Sequence, residues 1–232
     1  MNLVTPYAKL TTFTHQHTGG AGTTGLGEFT PTHGIALLQK IEWCARISHR
    51  SEDKQTSDSW NRFLTAVVLE HGDWSVTEHA SATVDFLVDR GITHELVRHR
   101  LMSFTQESTR FVNYEKKMPP SFIKPEMTKP QEMCWNSAIL ECEGMYRQML
   151  GLGSTPQIAR SVFPNALSSR IIVTANLRSW RHFLIMRTTR ESHPQMREVT
   201  IPLLTQFQKC IPLLFTDITP NDKQSEAIRK AR

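Results

Sequence analysis

Residues 80 to 88 constrain the fold most tightly. Ala80, Ala82, Val84, Phe86 and Val88 alternate with Ser81, Thr83, Asp85 and Leu87, and a period of two predicts a half-buried β-strand. Arg90-Gly91 turns that strand into a second run, in which Ile92, Leu96 and Leu101 are apolar points and neither Gly nor Pro intervenes. This run predicts a helix. It ends in Arg98-His99-Arg100 and passes into a polar turn held between Phe104 and Phe111.

On a helix those three basic residues point about 100° apart and cannot share one flat surface. Such a group suits a bulky ligand, or several ligands reached from different sides. Arginine forks match phosphate oxygens, and Ser103, Thr105, Ser108 and Thr109 with nearby backbone N–H groups could line an anion site. Phosphate is the first ligand this pattern suggests. The alternative is a solvated basic helix end interacting with its own dipole. A zinc-protease reading of His94-Glu95 with His99 fails, because that motif needs an i,i+4 pair of histidines and this spacing is i,i+5. No metal site is expected elsewhere.

A second block gives an independent clue. On a helix starting at Ser179, Trp180, Phe183, Leu184 and Arg187 share one face, so an arginine lies on the apolar side. A buried arginine needs a partner. Either Glu191, one turn on, supplies it or a ligand does.

The remaining chain reads as short elements. Residues 3 to 14 predict a strand or extended arm. Gly20, Gly22 and Gly25 formally satisfy GxGxxG, but Glu28 to Pro31 intervenes before the next helix, so the dinucleotide fingerprint fails its context and a mobile Gly/Thr loop over 19–31 is expected. Helices are expected over Thr32 to Ile47, burying Ile35, Leu38, Ile41 and Ala45, and over Ser57 to His71, burying Trp60, Leu64, Val67 and Val68. Ser57 or Asp58 would cap the second and Gly72 would end it. Prolines punctuate residues 116 to 130. A helix follows from Gln131 to Leu150 with Ala138, Cys142, Met145 and Met149 as its apolar points, then a short one opened by Thr155-Pro156. Ile171, Val173 and Ala175 form a strand, and a helix from about Gln195 to Phe207 precedes a polar tail at 219–232.

At 232 residues, 39% hydrophobic and 21% charged, the chain is expected to form one soluble domain, 1–232. No apolar run reaches membrane-span length and Met1 to Leu10 carries no signal pattern, so a cytoplasmic location without membrane contact is expected. Cys44, Cys134, Cys142 and Cys210 form no CxxC pair and are expected to be reduced. A net charge of +5 favours anionic partners without choosing between nucleotides and nucleic acid. A nucleic-acid surface would use Arg98, Arg100, Arg178, Arg181, Arg187 and Arg190, but those of the second block spread around their helix instead of forming a stripe.

Arg98-His99-Arg100, seven residues and then Ser108 resemble the RHR-x7-S signature of the flavin-dependent thymidylate synthases, with Arg110 where that family has a further arginine. His71-Gly72, Ser75 and Glu78-His79 resemble its segment before the central strand. Ala159-Arg160, Phe163-Pro164, Asn176 to Ser179, Phe183-Leu184 and Arg187 resemble its second block, so the likeness runs from roughly residue 35 to 215. It implies an α+β fold, a small antiparallel sheet flanked by helices, in a homotetramer whose active sites are shared between subunits. It implies reductive methylation of dUMP to dTMP with 5,10-methylenetetrahydrofolate as carbon donor and NADPH reducing a bound FAD. Ser75, Arg98, His99, Arg100, Gln106, Asn176, Arg178 and His182 would hold FAD. Glu95, Arg98, Gln106, Glu107, Ser108, Arg110 and Arg160 would surround dUMP, and Arg187 would activate it. Members often carry glutamine at Glu95 and asparagine then glutamate at Thr105-Gln106; here the acid is Glu107, one place later. Ser108 would be a phosphate or sugar contact, since no His–carboxylate pair is evident to make it a nucleophile. The chain has no Pro-Cys pair, which the unrelated cysteine-dependent synthases require.

Overall fold

The computed structural model describes residues 1–13, 30–116 and 118–223. Most of the glycine- and threonine-rich segment, and the polar tail beyond residue 223, lie outside the described residues. The chain opens with β1 (Asn2–Leu3) and β2 (Tyr7–Phe13), which buries Ala8, Leu10 and Phe13. Helix α1 (Pro31–Arg46) starts with a proline in its first turn and a Thr30–His33 capping box. It buries Leu37, Leu38, Ile41 and Ala45, whereas Ile35, expected inside, is exposed. The cause is Gly34: a Cβ there would stand 1.7 Å from the Cys210 carbonyl oxygen, so the closest approach falls at the glycine and turns its neighbour outward.

Helix α2 (Ser59–Leu64) continues as a π-helical turn, Thr65–Glu70, and the segment closes at Gly72 with φ +84°. The wider turn shifts the buried stripe, so Leu64 and Val68 are fully buried while Trp60 and Val67 are only half-buried. Next come β3 (Ser81–Asp89), α3 (Arg90–Leu96), β4 (Ser103–Gln106) and β5 (Ser121–Phe122), the last pairing in parallel with β1. Helix α4 (Lys129–Gly151) turns Ile139, Glu143 and Tyr146 inward and leaves Ala138 and Met145 outside, because Tyr146 belongs to an aromatic cluster. The chain finishes with α5 (Pro156–Ala159), β6 (Ser168–Asn176), α6 (Leu177–Arg187), α7 (Pro194–Cys210) and α8 (Pro212–Phe215).

Four strands form a sheet in the order β2-β3-β6-β4. The Arg90 N–H donates to the Leu167 carbonyl near one end of the β3/β6 pair, the Leu177 N–H to the Ala80 carbonyl near the other, and the Thr83 and Thr174 hydroxyls meet at 2.9 Å between them. That register is antiparallel. The chain is therefore a mixed helix-and-strand protein with a small antiparallel sheet.

Two compact units partition the chain, and β3 and β6 run through both. One comprises Met1–Tyr7, Phe86–Arg98 and Phe104–Ile172. Its aromatic cluster is built on Tyr114, Tyr146 and Ala159, with Phe163 stacked on Tyr146 at 4.4 Å. The other comprises Ala8–Asp85, His99–Ser103 and Val173–Arg232. Trp180, Phe183 and Phe207 are fully buried there, each contributing roughly 1.5–3 kcal/mol of transfer free energy. The Trp180 indole N–H donates to the Ala82 carbonyl at 2.9 Å, so this large side chain is buried without an orphaned donor. Among the described residues no helix is long and apolar enough to cross a membrane.

Candidate functional site

The basic triplet does not sit on a helix. Asp89 caps α3 by accepting the Ile92 N–H at 2.8 Å, and the helix closes at Val97, after which the Arg98 N–H reaches the Glu95 carbonyl across a tighter, three-residue turn with a long bond of 3.4 Å. Arg98, His99 and Arg100 follow in a turn, and Ser103 to Gln106, expected as loop, pair as β4. The three side chains still diverge, but through turn geometry instead of helical rotation. Arg98 and Arg100 are exposed, and neither guanidinium is in an ion pair among the described residues.

In the unit that contains α6, His99 is half-buried and its ring packs edge-on against Phe183 at 4.9 Å and near His182 at 6.4 Å. Arg187 Nε donates to His99 Nε2 at 2.9 Å. An accepting Nε2 carries no proton, so this bond requires the imidazole tautomer with its proton on Nδ1. The apolar-face arginine therefore meets the motif histidine, a partner that the Glu191-or-ligand choice did not contain. Asn176 caps α6 by accepting the Ser179 N–H at 2.8 Å, and Arg178 pairs with Glu78 at 2.6 Å. That pairing brings Arg178 beside the 3₁₀ turn Trp74–His79, which carries the exposed Ser75.

Two arginines of the second block are committed to the fold. Arg181 is buried, donates to the Leu214 carbonyl at 2.6 Å and to Asp217 at 2.7 Å, and stacks over Trp74 at 4.2 Å. Arg190 Nε donates to the Asn221 carbonyl at 2.5 Å. A phosphate-tracking stripe has therefore lost the buried Arg181 of the six arginines it would need, and Arg190 is tied to the backbone through Nε.

The other unit gathers Gln106, Glu107, Ser108, Arg110 and Arg160. Gln106 lies on β4, and its Nε2 donates to Thr93 Oγ1 at 3.1 Å and Ser169 Oγ at 3.0 Å, both fully buried hydroxyls. Ser108 Oγ accepts the Arg110 N–H at 3.3 Å. Arg110 Nε donates to Gln157 Oε1 at 3.1 Å, and Arg160 Nη1 donates to buried Thr109 at 3.0 Å. Each arginine is thus steadied through one nitrogen; the Arg110 guanidinium also lies over the Phe111 ring at 5.0 Å, and its two terminal nitrogens have no hydrogen-bond partner among the described residues. Glu95 sits half-buried on α3. The sequence carries no signal for Thr93, Gln157 and Ser169 as supports, and Thr109, expected to line an anion site, is taken up by Arg160. All four lie 13 to 63 positions from the side chains they hold, beyond the reach of any spacing rule.

Glu107 accepts from the Tyr114 hydroxyl at 2.8 Å through Oε1, and the Arg170 N–H approaches its Oε2 at 3.5 Å. Burial, first, and the neighbouring Glu107 carboxylate, second, push the Tyr114 hydroxyl well above the usual tyrosine range. Among the described residues no group of three His, Cys, Asp or Glu side chains could hold a metal ion.

Residues 36–213 match the family described as thymidylate synthase complementing protein. A flavin-dependent thymidylate synthase of Corynebacterium efficiens is 34% identical over 208 residues, covering 81% of each chain. One from Pyrococcus abyssi is 33% identical over 183 residues, covering 74% of this chain and 75% of the relative. The fold also resembles the crystal structure of a UMP/dUMP methylase from Streptomyces cacaoi, with a TM-score of 0.70 at 22% identity over 93% of this chain and 96% of that one. On the strength of the family match and these relatives, the chain belongs to the flavin-dependent thymidylate synthases.

Proposed function

We propose that this enzyme converts dUMP to dTMP by FAD-dependent reductive methylation, with 5,10-methylenetetrahydrofolate as carbon donor, NADPH as reductant and no enzyme nucleophile. The observation that carries the reading is the pair of exposed guanidinium groups, Arg98 and Arg100, in no ion pair among the described residues and flanking a histidine that is itself bonded to Arg187. Unpaired arginines match the oxygens of a dinucleotide's pyrophosphate, so the donor set fits FAD. Arg98 and Arg100 would take its phosphates, with Ser75, His99, Arg178 and His182 as further contacts and Asn176 through its backbone, since its side chain caps α6. The flavin, once reduced by NADPH, supplies the reducing equivalents of the methylation.

The protein's own work is orientation and electrostatics. Arg110, Arg160 and Ser108 would fix the dUMP phosphate and sugar, and Glu95, Arg98 and Gln106 would complete its contacts. Arg187, held by His99, would draw electron density from the pyrimidine and favour ionisation at N3, priming the ring for attack. Each active site would draw on more than one subunit of a homotetramer.

The test is a visible absorption spectrum of the purified protein loaded with FAD, followed on addition of NADPH with and without dUMP. A flavin spectrum that bleaches, at a rate that changes with dUMP, is expected. A protein that stays colourless after incubation with FAD overturns the reading.

A further inference from the structure

We propose that Tyr114 is a positioning residue for substrate binding: its hydrogen bond to Glu107 closes residues 107–114 into a preformed loop that presents Ser108 and Arg110. This rests on the reading above that those two residues meet dUMP. Both ends of the loop are anchored. At one, the Glu107 N–H donates to the Arg170 carbonyl at 2.8 Å, extending the β4–β6 ladder, and its carboxylate receives the Tyr114 hydroxyl. At the other, the Tyr114 ring packs edge-on against Tyr146 at 6.2 Å and Phe163 at 5.7 Å, and its N–H reaches the Tyr146 hydroxyl at 3.3 Å.

Between the anchors the Val112 N–H donates to the Ser108 carbonyl at 3.0 Å, and Thr109 is buried under Arg160. The clasp leaves Ser108 half-buried and Arg110 exposed, while Asn113 is taken up by the Glu115 and Lys116 N–H groups. A loop held in its binding conformation before the ligand arrives does not lose affinity to ordering on binding. The Glu107 carboxylate is accordingly an internal acceptor, spent on Tyr114 and Arg170, and not a nucleotide contact. Because burial keeps the Tyr114 hydroxyl protonated far beyond assay conditions, the clasp stays closed across that whole range.

The test uses the FAD-loaded enzyme and reads dUMP affinity from the flavin difference spectrum, alongside the melting temperature without dUMP. Tyr114→Phe and Glu107→Leu are each expected to weaken dUMP binding about 3- to 10-fold, the net value of one ordinary intramolecular hydrogen bond. FAD affinity and kcat at saturating dUMP should be unchanged, as for lost uniform binding. The double variant should be no weaker than either single, since both remove one interaction. Glu107→Gln, whose amide oxygen still accepts from Tyr114, should recover most of what Glu107→Leu loses. Tyr114→Phe with wild-type dUMP affinity, even if it melts earlier, overturns the positioning role. Additive losses in the double variant also overturn it, because Glu107 would then touch the nucleotide itself. A wild-type enzyme that binds FAD but no dUMP overturns the synthase reading and this proposal with it.

Discussion

Arg187 Nε donates to His99 Nε2 at 2.9 Å, joining the last turn of α6 to the middle residue of the basic triplet 88 positions earlier. The bond fixes where the guanidinium points, and it requires a neutral imidazole. Two substitutions separate charge from direction. Arg187→Lys keeps a cation but has no Nε–H at that place; it is expected to lower single-turnover dTMP formation by about 100-fold or more, the scale of losing one preorganised charge-stabilising donor. His99→Phe keeps the ring that packs on Phe183 but removes the acceptor, and should lower the same rate by about 10-fold, the scale of one lost hydrogen bond to a charged group. A wild-type rate in Arg187→Lys would remove Arg187 from the chemistry.

How much of this was legible in the sequence follows from how far each determinant acts. The alternation at 80 to 88 is local, and β3 runs from Ser81 to Asp89. The oddity of Arg187 on an apolar helix face was also local, and it pointed to a partner. His99 as that partner was hidden, because no spacing rule joins residues 88 apart. The end of α3 at Leu96 was hidden as well: neither glycine nor proline marks it, so the periodic run extended the expected helix through the triplet. The Glu107–Tyr114 bond spans a loop, where periodicity carries no signal. Tertiary packing set the faces of α1 and α4, displacing Ile35 and Met145 outward for Gly34 and Tyr146.

Gly34 is the point where α1 meets the end of α7 with no room for a methyl group. A Cβ would stand 1.7 Å from the Cys210 carbonyl oxygen and 2.8 Å from its carbon, backbone atoms that cannot swing aside. Gly34→Ala gains helix propensity of about 1 kcal/mol but must push the two helices apart. The clash wins: a net loss of about 2–3 kcal/mol is expected in urea unfolding, at the upper end for overpacked cores. Unchanged stability would mean that the approach at Gly34 relaxes freely.

Arg181 on α6 pairs with Asp217, yet the partners are unequal: the arginine side chain is 6% exposed and the aspartate 45%. Solvent screening on the aspartate side limits what the pair contributes. Asp217→Ala should therefore cost about 1–2 kcal/mol, chiefly because Arg181 loses two of its hydrogen bonds while keeping Leu214 and Trp74. Trp74→Leu, which removes the aromatic face over the guanidinium, should cost a further 1 kcal/mol or about that. Denaturant midpoints at constant slope would measure both, and a loss above about 4 kcal/mol on Asp217→Ala would show that the pair behaves as fully buried.

Tyr114 also leaves a signature in alkaline stability. Its hydroxyl ionises well above the ordinary tyrosine range in the folded chain, through burial first and Glu107 second. A group whose folded pKa is raised contributes stability that is fully present below the unfolded pKa and is lost as the pH climbs beyond it, because the unfolded chain gives up the proton first. Stability should therefore fall from about pH 10 upward. Tyr146, raised by burial in the same cluster, adds to the slope. In Tyr114→Phe one of the two titrations is gone. The variant should start less stable at pH 8, by about 1 kcal/mol for the lost hydrogen bond, and then lose stability less steeply than wild type between pH 9.5 and 11, a window set by the unfolded tyrosine pKa of about 10. Equal slopes in guanidinium unfolding across that window would show that Tyr114 does not ionise late in the folded protein.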